Sequence, residues 1–92
     1  MDVKEIVVLA RNDHREAMRV AAGLTIAGHR VDLIFMSRPI SEKDAESDQA
    51  ELLELAEIEP RTTVPEMEDH LELLSSAELG TAITAADMVV SI

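Results

Sequence analysis

The residues best suited to chemistry lie in one polar segment, residues 11–15, which follows an apolar run. The segment combines two guanidinium groups, an imidazole and the start of a helical pattern, all of which attract anions. Arg38 follows the next apolar run and is expected at the same edge of a parallel sheet. These positions predict a binding site for a small anionic ligand, formed by Arg11, Asn12, His14, Arg15 and Arg38.

A second interpretation of this segment needs no ligand. Asn12 and Asp13 are residue types that cap helices, and Glu16 follows Asp13 at the spacing of a capping box. Arg15 and Arg19 would then pair with neighbouring acids, and His14 would lie on the surface in the first turn of a helix. Both interpretations stay open, because a motif without a tight spacing has little specificity.

Other kinds of site have no support in the sequence. The histidines at 14, 29 and 70 are far apart and none belongs to an H-x-x-x-H pair, so we expect no metal site. Neither of the glycine-rich phosphate-binding motifs is present, which disfavours dinucleotides and nucleoside triphosphates. Ser75 and Ser76 lack the G-x-S-x-G context of a nucleophile and are better explained as helix caps. We therefore predict no catalytic residue and no cofactor.

The surrounding patterns predict alternating strands and helices. Buried or amphipathic strands are expected at 4–10, 31–36, 70–74 and 88–92, and helices at 14–27, 50–58 and 77–86. Residues 60–65 are expected to form a short or edge strand between two prolines, and residues 37–48 a long polar loop.

This order predicts an α/β fold, a three-layer sandwich with a mainly parallel sheet of four or five strands flanked by helices, as in flavodoxin-like proteins. The apolar runs 4–10 and 88–92 are predicted to be the central strands, because continuous branched side chains suit strands covered on both faces. The 92 residues are enough for one domain with a small core, which favours self-association.

Composition restricts the classes of partner. The net charge of -11, from 19 acidic and 8 basic residues, repels nucleic-acid phosphates and anionic lipid. The single Phe, with no Trp or Tyr, argues against base stacking. No run approaches the roughly 20 apolar residues of a membrane span, and the charged N-terminus is unlike a signal peptide. We expect a cytoplasmic protein that binds neither nucleic acid nor membrane.

Cysteine is absent from the chain. Disulfides, thiolate metal sites and thiol or persulfide nucleophiles are therefore excluded for this chain.

The order of features resembles the DsrE/DsrF-like family, which includes the sulfur-relay subunits of the Tus and Dsr type. The resemblance is carried at the N-terminus by the β-α-β pattern of residues 6–10, 17–28 and 31–36. At the C-terminus a strand, a small or acidic cap, an Ala-rich helix, an Asp and a last apolar strand follow in residues 71–90. The resemblance implies one DsrE-like domain over residues 1–92 that forms homo-oligomers, as trimers or hexamers, or hetero-oligomers with related subunits.

Active members of that family carry sulfur on a cysteine just after the third strand, and residues 64–68 contain none here. The resemblance therefore implies a non-catalytic subunit with a binding or structural role linked to sulfur metabolism. Two alternatives from other classes remain. One is a sensor or enzyme that holds a small anion at residues 11–15, and the other is an acidic adaptor that binds a basic protein through the glutamates of its second helix.

Overall fold

The structure, a computed structural model, describes residues 2–92. In this range there are five strands and four α-helices, in the order β1 (Glu5–Ala10), α1 (His14–Ile26), β2 (Arg30–Phe35), α2 (Glu42–Ala45), α3 (Asp48–Leu55), β3 (Arg61–Thr62), β4 (Glu72–Leu73), α4 (Ser76–Ala85) and β5 (Met88–Ser91). A single 3-10 turn, Pro65–Met67, lies between β3 and β4. None of these helices has the length and apolarity needed to span a membrane.

The five strands form one parallel sheet in the order β4-β3-β2-β1-β5. Helices α1 and α3 pack on one face, here called the first face, and α4 packs on the other, the second face. The predicted three-layer α/β sandwich is confirmed.

The first face holds the larger core. Every second side chain of β1 and β2 points to the first face and packs against α1. The small residues of α1 let the helix lie close to the sheet. This cluster comprises Ile6, Val8, Ala10, Ala17, Met18, Ala21, Leu33, Phe35 and Leu53.

The second face is less completely covered. Its buried cluster comprises Val7, Leu9, Ile34 and Leu74, with Leu79, Ile83 and Ala86 only partly buried against it. No residue of α4 itself is fully buried. A single helix of ten residues therefore covers this face and leaves part of it exposed.

The prediction that the last apolar run is a central strand is wrong. β1 is an interior strand, but β5 pairs only with β1 and lies at the edge of the sheet, where Met88 and Val89 are 44% and 41% exposed. A run of apolar side chains indicates that a segment forms a buried strand, but it does not indicate where in the sheet that strand lies. The position depends on where the preceding crossover helix returns the chain. Here β2, β3 and β4 extend the sheet to one side of β1, and α4 carries the chain back to the other side.

Three other elements differ from expectation. The loop at 37–48 contains the short helix α2, whose cap Ser41 accepts a hydrogen bond from the Asp44 backbone N–H at 3.1 Å. Helix α3 begins at Asp48, earlier than predicted, because Ser47 caps it. The strand expected at 70–74 shortens to Glu72–Leu73, whereas the short strand expected at 60–65 is present as Arg61–Thr62.

Helix α4 begins with a capping box. The Glu78 backbone N–H donates to Ser75 Oγ at 3.1 Å, and the Ser75 backbone N–H donates to Glu78 Oε1 at 3.0 Å. The bond from the Ser75 backbone, and then that with its side chain, lowers the pKa of Glu78 below its ordinary value. The ionised carboxylate is therefore the form that stabilises the start of α4.

We expect Glu78→Gln to lower the free energy of unfolding at neutral pH and to have a smaller effect in acid. A carboxylate whose pKa is depressed on folding contributes stability above its unfolded pKa, near 4.3, and loses it as pH falls through the folded value. Urea unfolding at about pH 7 and about pH 3 measures this difference. Glu54→Gln, on an exposed position of α3, controls for the loss of one negative charge, and equal pH dependence in both variants would contradict the assignment.

Candidate functional site

The carboxyl ends of β1 and β2 bring together two of the predicted site residues. Arg38 Nη1 lies 3.5 Å from His14 Nε2, although the two residues are far apart in the chain. His14 is the first residue of α1, and Arg38 follows β2 after a turn in which Ser37 has a positive φ of 74°. The parallel crossover therefore places both at one edge of the sheet, here called the carboxyl edge.

His14 is buried, contrary to the surface position expected for it, with 1% of its surface exposed. Its ring packs edge-to-face on Phe35, with centroids 5.2 Å apart and an interplanar angle of 72°. Phe35 is the last residue of β2, so the end of that strand covers the start of α1. Sequence reasoning missed this contact, because the sequence shows no local signal for a partner 21 positions away.

A backbone contact of His14 assigns a proton to Nε2. Nε2 lies 3.1 Å from the Met36 carbonyl oxygen, which can only accept, so Nε2 carries the proton and donates. A guanidinium also only donates, and Arg38 is therefore a nearby positive charge and not a hydrogen-bond partner of Nε2. The other ring nitrogen, Nδ1, has no hydrogen-bond partner among residues 2–92.

Arg15 and Arg19 both make ion pairs, but only Arg19 pairs with a neighbouring acid, as the interpretation without a ligand predicted, and Arg15 pairs with a distant one. Arg15 Nη2 lies 3.1 Å from Asp44 Oδ1 and so ties the first turn of α1 to α2. Arg19 pairs with Glu16, whose hydrogen bond raises the pKa of Arg19 above its ordinary value. The charge of Arg15 is thus partly neutralised at the predicted anion site.

The start of α1 is also capped by a carboxylate. Asp13 Oδ1 accepts from the Glu16 backbone N–H at 3.0 Å, so a negative charge already lies at the positive end of the helix. The backbone N–H groups of Arg11 and Asn12 donate to the Ile92 carbonyl oxygen at 3.0 and 2.9 Å. The backbone of residues 11–13 therefore caps α1 and ties β1 to the end of β5, and these N–H groups do not face a ligand.

Two arginines of the predicted set have no ion pair within residues 2–92, and both are exposed: Arg11 and Arg38. They supply the remaining positive charge of the carboxyl edge. A small cavity of about 130 Å³ lies next to this edge, but its lining combines Asp13 and Glu16 with Arg15 and Arg19, so its charges balance. The arrangement can attract a small anion weakly at the exposed Arg11 and Arg38.

Residues elsewhere in the described range add no metal site. No three His, Asp or Glu side chains within residues 2–92 lie close enough together to hold a metal ion.

The glutamates of α3 on which the acidic-adaptor hypothesis rests, Glu51 and Glu54, are exposed. An open depression of about 570 Å³ lies at the amino ends of β3 and β4 and is lined by Arg61, His70 and Glu72 among others. Arg61 is paired there with Asp32.

Comparison with known proteins found no protein-family model, no curated protein and no solved structure that matches this chain. The resemblance to the DsrE/DsrF-like family therefore stays a prediction.

Proposed function

We propose that this chain is a non-catalytic binding domain that works as part of an oligomer. The observation that carries the proposal is the incomplete cover of the sheet on the side of α4 and β5. Helix α4 has no fully buried residue, and Met88 and Val89 of β5 remain more than 40% exposed. Association would remove this apolar surface from water.

The size of the domain supports the same proposal. A chain of 92 residues buries only about 60 to 65 per cent of the surface of its unfolded state, so its core contributes little surplus stability. Each Å² of apolar surface buried on association contributes roughly 25 cal/mol. Self-association is therefore an effective way to stabilise such a domain.

The DsrE-like assignment gives this proposal a biological context. The assignment rests on the order of elements. At the N-terminal end β1, α1 and β2 follow one another, and at the C-terminal end β4, α4 and β5 do, which is the order on which the resemblance is based. Met67, in the segment where active members carry cysteine, is buried and receives a contact of 3.3 Å from the Ile40 backbone N–H at its sulfur. A thioether does not form a persulfide, so a role in sulfur relay would be that of a non-catalytic subunit.

Sedimentation velocity and light scattering over a concentration range test the proposal. We expect a mass above that of one chain at micromolar concentration or higher, with an assembled fraction that rises with concentration. A strictly monomeric protein throughout the range would refute a homo-oligomer.

A second candidate function is the binding of a small anion at the carboxyl edge. It is favoured by one observation: the guanidinium of Arg38 lies exposed beside the buried His14 and has no ion pair within residues 2–92. Against it stands the carboxylate of Asp13, which already occupies the start of α1.

Thermal unfolding with inorganic phosphate at about 10 mM tests this candidate, because a ligand that binds only the folded state raises the melting temperature. We expect Arg38→Ala and Arg11→Ala to abolish the increase. Arg30→Ala is the matched control, because Arg30 pairs with Glu5 at the amino ends of β1 and β2, away from the carboxyl edge. No increase in the unmodified protein would exclude phosphate as the ligand.

A further inference from the structure

We propose that β5 is an interface strand through which two copies of this chain pair in antiparallel orientation, so that two five-stranded sheets become one of ten strands. The inference rests on the proposed function as an oligomeric domain and names the surface and the partner. The two outer strands of the sheet, β4 and β5, differ in how well they are protected against pairing with another strand.

The edge formed by β4 is protected against pairing. It consists of two residues, Glu72 and Leu73, of which the first is charged and exposed. Short strands and charged side chains are common ways in which proteins prevent strand addition at an edge. The edge formed by β5 has four residues, Met88–Ser91, with no charge and no proline.

The hydrogen bonds of Ile92 show which backbone groups of β5 face outward. Its N–H donates to the Leu9 carbonyl oxygen at 2.9 Å, and its carbonyl oxygen accepts from the Arg11 N–H at 3.0 Å. Residue 92 therefore faces β1 with both groups, and alternation along a strand gives residues 90 and 88 the same direction. Val89 and Ser91 consequently direct their N–H and C=O groups away from the sheet.

These outward groups are complementary to those of a second copy. When two β5 strands run antiparallel about a two-fold axis at Val90, Val89 lies opposite the second copy's Ser91, and Ser91 opposite its Val89. Each of these pairs exchanges two hydrogen bonds, so the contact contains about four. Shifting the pairing by two residues in either direction loses both pairs and leaves a single one within β5, Ser91 with Ser91 or Val89 with Val89.

The side chains favour the same register. The pairing of β5 with β1 places Met88 and Val90 on the first face, where Val90 and Ile92 already pack against the core. Pairing about Val90 places Met88 opposite the second copy's Ile92 and Val90 opposite its Val90. The exposed Met88 then meets an apolar partner, and no charged residue lies within the paired segment.

Size and charge define the expected strength. Four residues per copy form a small interface, well below the roughly 800 Å² per partner of a standard complex, so we expect affinity in the micromolar range. The charge of -11 on each chain opposes association, and added salt screens this repulsion. The dimer should therefore become tighter with salt, whereas contact between an acidic helix and a basic partner would become weaker.

Ser91→Pro tests the hydrogen bonds of the interface. Proline removes the outward N–H of residue 91 and leaves the bonds between β5 and β1 in place, and an edge strand tolerates proline where its N–H faces solvent. We expect sedimentation velocity to show dimerisation weakened by at least about tenfold, because two hydrogen bonds are lost per dimer. Ser91→Ala retains the N–H and should dimerise like the unmodified protein.

A cross-link tests the register. The chain has no cysteine, so an introduced thiol is unique. In the proposed dimer the two Val90 residues oppose each other with Cα atoms about 4.5 Å apart, which suits a disulfide, whereas the two Val89 residues are roughly 9 Å apart. Mild oxidation should convert Val90→Cys to a covalent dimer and leave Val89→Cys monomeric under denaturing conditions.

The outcomes separate this inference from the proposal on which it rests. A monomeric unmodified protein would overturn both. An oligomer that persists in Ser91→Pro, together with no cross-link in Val90→Cys, would overturn the β5 interface and leave the oligomeric domain standing. A cross-link in Val89→Cys in place of Val90→Cys would overturn the register proposed here.

Discussion

Phe35→Ala is expected to lower the free energy of unfolding by about 3 to 5 kcal/mol. Phe35 is fully buried and is the largest side chain among the completely buried residues. It lies in the core of the first face and packs on the ring of His14. Truncation would leave a cavity at the point where β2 meets the start of α1, and both the transfer and the cavity terms destabilise the fold.

Urea unfolding followed by circular dichroism measures this change. Leu55→Ala is the control, because Leu55 is 77% exposed and its truncation should change stability by no more than about 0.5 kcal/mol. If Phe35→Ala does not fold, Phe35→Leu retains most of the volume and is expected to cost about 1 to 1.5 kcal/mol. A change of less than 0.5 kcal/mol for both Phe35 variants would contradict the packing described for β2.

A buried hydroxyl joins β2 to β3. Thr62 is fully buried, and its Oγ1 donates to the Phe35 carbonyl oxygen at 2.9 Å and accepts from the Val64 N–H at 3.0 Å. Thr62→Val retains the shape of the side chain but leaves a buried donor and a buried acceptor without this partner. We expect a loss of about 1 to 3 kcal/mol.

Thermal or urea unfolding gives the size of the loss, and hydrogen exchange gives its location. The Val64 amide should exchange faster in Thr62→Val, because its acceptor is gone. Thr84→Val is the matched control, since Thr84 is exposed on α4 and its hydroxyl donates to the Gly80 carbonyl oxygen of the same helix at 2.8 Å. Unchanged stability together with unchanged exchange at Val64 would show that the hydroxyl does not hold β3 to β2.

The first β-α-β unit is the part of the fold that sequence reasoning predicts best. A continuous apolar run, a capping Asp13 and a glycine at position 28 with φ of 99° each specify a local structure. The capping box of Ser75 and Glu78 does the same for α4. These features are encoded within a few residues of each other, so they can be inferred from the chain alone.

The candidate site is predictable only in outline. The positions of Arg11, His14 and Arg38 near one edge follow from the parallel crossover. The burial of His14 does not follow, because it depends on Phe35 and Met36 of another segment. Nor does the pairing of Arg15 with Asp44, which arises because residues 37–48 fold into a short helix beside α1.

The alternation of strands and helices, the acidic charge and the exclusion of thiol chemistry in this chain follow from the residues alone. These properties depend on residue types and on spacings within single elements. The position of β5 at an exposed edge and the burial of His14 beneath the end of β2 emerge only in the folded chain. The order of strands and the contacts between distant segments depend on how the crossovers pack on the two faces of the sheet, and no spacing within a single element encodes that packing.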